Sequence, residues 1–245
     1  MKNKFPVLLL VFSLCSLAAF QGNEFWHKKD YKQWNERECK KLLEDSPWAK
    51  TYTLSQVYVT PLSSNENDAQ TRAREDNPRL SYRVQFRSAW PVRQAMVRMQ
   101  QLARKYDQMT DDKQKAFDHE AEKFLSAHFA DTVVVHVSFT TNVQFDDRDV
   151  ARHWQTQTTE TLKNFTYLIG PKGEKVQLQR YTVADAGRSF QLVFPRQHEG
   201  RPLVSPQDKS IKLEFIHPRV RTTGEVRVFI EFKADKMLMQ GEVAY

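Results

Sequence analysis

Apolar residues recur along this chain with two periods, and the change from one to the other divides it. From Lys32 to Leu43 the spacing predicts a helix, with Tyr31, Trp34, Cys39, Leu42 and Leu43 on one half of its circumference and Glu38 intruding on that arc. Ser46-Pro47 ends it, because the residue before proline is pushed away from helical angles. Thr51 to Val59 then alternates as a strand. Residues 61–78 hold almost nothing apolar except Leu62 and read as a mobile loop. Beyond the loop, Leu80, Tyr82, Val84 and Phe86 alternate with Ser81, Arg83, Gln85 and Arg87, the pattern of a half-buried strand.

Pro91 suits the first turn of the following helix. There Val92, Ala95, Met96, Met99, Leu102, Ala103 and Tyr106 form one apolar stripe, and Arg93, Arg98 and Arg104 are expected outside it. A second helix is predicted from Thr110, with Asp111 and Asp112 at its positive end and Phe117, Ala121, Phe124, Leu125 and His128 on its buried face. The short turn from Asp107 to Thr110 would fold the two into a hairpin. Asp131 to Thr141 reads as a Val-rich strand and Asp147 to Leu162 as a weaker helix around Val150 and Trp154.

From Phe165 onward the period becomes two. Gly170-Pro171-Lys172-Gly173, Asp185-Ala186-Gly187 and Thr223-Gly224 punctuate alternating runs such as Phe190/Leu192/Phe194, Ile211/Leu213/Phe215 and Val226/Val228/Ile230/Phe232. The expected class is α+β. A mixed helix and strand region with a helical hairpin spans residues 19–163, and a β-rich, sandwich-like region spans 164–245, with a shared core left open.

Residues 1–18 have the form of an export signal. Lys2 and Lys4 precede an apolar run from Pro6 to Leu14, and Ser16 and Ala18 fit the small residues before a cleavage point. The run is shorter than the roughly 20 residues of a membrane-spanning helix. A lipid-anchored alternative would use Cys15, although Leu14 stands where a small residue is expected. The predicted location is therefore outside the cytoplasm: periplasm, cell surface or medium. Export disfavours nucleic acid as a partner. The formal charge of +7 falls by two lysines on cleavage, a mild basic excess suited to an anionic envelope component. Cleavage also leaves Cys39 as the sole cysteine, so no disulfide framework is expected.

Local signatures of common chemistry are missing. The 7 glycines give neither a dinucleotide fingerprint nor a phosphate-binding loop, and no two of the 7 histidines lie closer than eight residues, which excludes HExxH. No G-x-S-x-G or S-x-x-K occurs. No cofactor or metal is expected on these grounds. His119 with Glu122, and Asp146 with Asp147 and Asp149, are explained by solvated or acidic helix ends. His128 reads as a core histidine. The pattern that points to binding is an arginine row: Arg79, Arg83 and Arg87 share one strand face, and Arg93 follows at the helix start. Guanidinium groups suit two-point contact with carboxylate or phosphate, whereas the simpler account is a solvated sheet face.

Four fragments carry a resemblance. They are Trp34 with Leu42-Leu43-Glu44-Asp45-Ser46-Pro47-Trp48-Ala49-Lys50, then Ser88-Ala89-Trp90-Pro91-Val92-Arg93-Gln94-Ala95, Phe194-Pro195-Arg196, and Lys236-Met237-Leu238-Met239-Gln240-Gly241-Glu242. Together they resemble an uncharacterised group of exported bacterial proteins of the acidobacterial type. The resemblance implies export and carries no functional residues. The expected function is a non-catalytic envelope binding module, with an anionic envelope component or another envelope protein as its partner. The alternative is a hydrolase or metal-dependent enzyme whose residues, such as His128, His136 or His153, converge only in the fold.

Overall fold

Alternation along Leu80–Phe86 places Tyr82, Val84 and Phe86 on one face, and these side chains organise the interior. This strand, β2, pairs antiparallel with β1 (Ala49–Thr53) and β3 (Thr132–Thr141). Beyond β3 come β7 (Ser189–Pro195) and β6 (Arg180–Ala184), completing an antiparallel five-stranded sheet in the order β1-β2-β3-β7-β6. The computed structural model describes residues 24–54, 79–127, 129–220 and 223–245. The export signal 1–18 with Cys15, the 61–78 loop, the second half of the Thr51 to Val59 strand and His128 lie outside the described residues.

A second sheet has the order β11-β10-β4-β5, from β4 (Tyr167–Ile169), β5 (Lys175–Gln177), β10 (Ser210–His217) and β11 (Val226–Lys233). Its inward residues meet those of the first sheet: Phe215 lies 5.0 Å from the Tyr82 ring and Phe232 lies 4.8 Å from Phe86, both edge to face. One apolar core joins the two sheets, so β7 and β10 bury side chains with strands drawn from far earlier in the chain. Two-residue ladders, β8 (Gln197–His198) with β9 (Arg201–Pro202) and β12 (Leu238–Met239) with β13 (Glu242–Val243), trim the edges. The class is α+β with antiparallel sheets and a strand-rich C-terminal half, as the pattern predicts.

The helices depart from the sequence pattern in instructive ways. A short α1 (Phe25–Lys28) precedes α2, which spans Glu36–Glu44 rather than starting at Lys32; Tyr31–Gln33 forms a separate 3-10 turn. Asn35 sets the start, accepting from the Glu38 N–H while the Glu38 carboxylate accepts from the Asn35 N–H. That capping box explains Glu38 on the apolar arc. Likewise the predicted 147–162 helix is two: α5 (Gln144–Thr156) and α6 (Thr159–Leu162), divided where Thr158 caps the second.

Trp90–Ala103 forms α3, with Pro91 in its first turn. Its buried face includes Arg93, Gln94, Val97 and Gln101, while Met96 and Met99 are half-buried and Ala103 is exposed, so the helix is turned relative to its apolar stripe. The cause is that α3 is packed by α2 along one side and by α4 (Asp111–Leu125) along another. Arg98 turns inward to suit: its Nε donates to the Trp34 carbonyl at 2.9 Å and its Nη1 to Gln101 Oε1 at 3.1 Å. Helices α3 and α4 form the expected hairpin, but among the described residues of the predicted α4 face only Phe117 is buried.

Candidate binding surfaces

Odd-numbered residues of β2 face away from the core, on the outer side of the first sheet. Arg79, just before the strand, is exposed, and its N–H donates to Asn142 Oδ1 at 2.7 Å. Arg83 is exposed and lies 3.3 Å from the Glu44 carboxylate, an ion pair open to water and worth little. Arg87 is half-buried, and its Nε is fully enclosed without a hydrogen-bond acceptor. Arg83 lies on the outer face of β2, with Arg79 and Arg87 just beyond its two ends.

Arg93 does not join them. Its Nη1 donates toward the carbonyls of Phe124 at 3.0 Å, Leu125 at 2.8 Å and Ala127 at 2.9 Å, with the guanidinium 5.0 Å over the Phe129 ring. These carbonyls close the C-terminal turn of α4, where a helix leaves acceptors without internal donors. Arg93 is thus a helix cap, drawn inward by acceptors about thirty residues further along the chain.

Among the described residues, His136 and His153 are not brought into one site. His136 sits on the outer face of β3, and His153 lines a cleft of about 390 Å³ with Gln157, Phe165, Pro218 and Glu225. His119 and Glu122 are exposed on α4. Asp147, in the first turn of α5, pairs with Arg188. Among the described residues, no three His, Cys, Asp or Glu side chains converge in a way that could hold a metal ion. Cys39 is buried, and burial pushes its thiol up to about 11, which keeps it protonated and inert.

Sequence reading missed a polar chain in the core. The Trp154 N–H donates to Tyr82 Oη at 3.3 Å, so the phenol's own proton goes to His217 Nδ1 at 2.7 Å. The imidazole must then carry its proton on Nε2, which donates to Thr223 Oγ1 at 2.7 Å. All four residues are buried, and burial, with His153 nearby, lowers His217 to about 4. Every link is consistent with a neutral imidazole. With no open approach to the ring, this chain fixes the packing of two sheets and α5 rather than meeting a substrate.

A trough of about 530 Å³ lies between α3 and α4. Its floor and walls are Met96, Val97, Met109, Phe117, Ala121 and Phe124, and Arg104, Lys113 and Glu120 stand at its rim. The α4 contributors, Lys113, Ala116, Phe117, Glu120, Ala121 and Phe124, recur at three- and four-residue spacing. That is the stripe by which one helix packs on another. Part of the stripe rests on α3; the rest, including Phe124 at 38% exposed, faces the open trough. The hairpin was legible in sequence, but the trough left open among the described residues was not, because periodicity says which face is apolar and not whether anything covers it.

No helix among the described residues is long and apolar enough to cross a membrane. Comparison with protein-family models, with curated proteins and with solved structures finds no match for this chain.

Proposed function

We propose that this chain is an exported, non-catalytic interaction protein whose α3–α4 trough takes an amphipathic helix of a partner protein. The trough carries the reading. Two helices present apolar residues at helical spacing to the same open channel, and a third helix laid along it would complete a layer in which each helix packs on two others. Methionine suits such a role because its unbranched, polarizable side chain adapts to the surface it meets. Two cations, Arg104 and Lys113, against one carboxylate, Glu120, favour a partner helix with acidic flanks. Export rests on the sequence of residues 1–18 and on the family resemblance, and it supplies the setting: an anionic envelope and proteins within it.

Affinity capture from native envelope fractions tests this reading with three versions of the full mature protein. Wild type and the Arg83→Gln/Arg87→Gln double variant should retain the same partner, and Phe124→Glu should lose it. Phe124 is exposed enough that its replacement leaves the fold standing. Retention by Phe124→Glu, or capture that depends on the arginines alone, overturns the assignment to the trough.

A further inference from the structure

The outer face of the first sheet holds a second feature, independent of the trough. Register places Gln85, His136, Gln191 and Thr182 in one row across β2, β3, β7 and β6. One row along, the backbone N–H groups of Arg87 and Ser88 both donate to the Val134 carbonyl, at 2.7 and 3.3 Å, a local bulge at the end of β2. Arg87 is thereby set diagonally beside His136 on the same face. The Arg87 Nε and the His136 Nδ1 are both enclosed, and neither has a hydrogen-bond partner among the described residues.

An enclosed N–H without an acceptor is costly, because water is removed from it and nothing replaces it. Asp185 lies in electrostatic range of both groups but forms no ion pair with either; its carboxylate accepts from the Ser189 hydroxyl. A backbone held in the left-handed region at three successive residues, Asp185 (φ 49°), Ala186 (φ 51°) and Gly187 (φ 88°), turns the chain at that point. The third is obligatory: a Cβ on Gly187 would stand 2.0 Å from the Ala151 carbonyl oxygen of α5.

We infer that Arg87 and His136 form a binding site for a carboxylate group, with Arg87 as the charged anchor and His136 as a hydrogen-bonding partner. One full positive charge beside a neutral imidazole matches a single negative charge. The nearby Asp185 carboxylate opposes a second one, which disfavours a phosphate dianion. Planar carboxylate oxygens also fit the two-point geometry of a guanidinium.

The test uses the full protein at pH 7 and follows the His136 ring resonances by NMR. Acetate, inorganic phosphate and chloride are titrated at matched ionic strength. Acetate should shift His136 saturably, leave His153 and His217 unmoved, and act more strongly than phosphate. Arg83→Gln should respond as wild type, Arg87→Gln should lose the response, and Arg87→Lys should weaken it at least several-fold. A dispersed amide spectrum for each variant separates loss of binding from loss of fold. Equal effects of acetate and chloride, saturation unchanged in Arg87→Gln, or no saturable shift would each overturn the site; a stronger response to phosphate would overturn its assignment to carboxylates.

Discussion

Tyr82 and His217 are 135 residues apart in the chain and 2.7 Å apart at their polar atoms, and the fold depends on that bond at both ends. Tyr82→Phe removes one oxygen but strands two buried groups, the Trp154 N–H and His217 Nδ1. We expect a loss of about 1–3 kcal/mol by urea denaturation, more than a single exposed bond would give. His217 also couples stability to pH. Its folded-state value of about 4 lies below the ordinary 6.5, so the unfolded chain binds the extra proton between those limits. Its contribution is therefore complete above about pH 6.5 and declines as pH falls toward 4, by about 3 kcal/mol in all. Denaturation curves for wild type and His217→Gln should converge over that interval. No pattern in the sequence pairs these residues, since each alone reads as an inward strand position. Likewise Arg93 and Arg83 read alike as members of one basic row, and the carbonyls of Phe124, Leu125 and Ala127 separate their roles.

Those carbonyls make Arg93 a matter of helix ends. Arg93→Met should keep the stem's packing but leave the α4 terminus short of donors, costing about 2 kcal/mol and speeding amide exchange in the last turn of α4. Arg83→Gln, with its exposed ion pair, should change stability by less than about 0.5 kcal/mol. The turn between β6 and β7 is stricter. Gly187→Ala meets the α5 backbone rather than a side chain that could move, so a loss of at least about 2 kcal/mol is expected, read as a fall in melting temperature. Elements with a single demand on them were plain in the sequence: β11 alternates cleanly because one face meets the core, and β2 alternates until Gln85, which is buried with its neighbours. Helices with several neighbours were not. The α3 stripe misplaced Arg93, and it gave no sign that Gln94 and Gln101 are buried, because contacts with α2 and α4 enclose polar residues that periodicity leaves outside.

At the scale of the whole molecule, a two-sheet core supports a helical hairpin with one side of its second helix open. Glu214 shows how firmly the outer side of the second sheet is tied: the carboxylate is wholly buried yet held by Lys175 at 2.7 Å and by Arg227, side chains that reach it from the strands β5 and β11. On the proposed reading, stability and recognition are divided between the sheets and the hairpin, and substitutions in the trough should leave the core intact. The most direct measurement is photo-crosslinking from single positions on α4 in native envelope fractions, with adducts mapped by mass spectrometry. A probe at Ala116 or Glu120, within the trough, should capture one partner, through a segment with helical apolar spacing and acidic flanks. A probe at Lys115, on the exposed side of the helix, should not. Equal capture from Lys115, or adducts that map to no helical segment, would contradict the trough as the recognition surface.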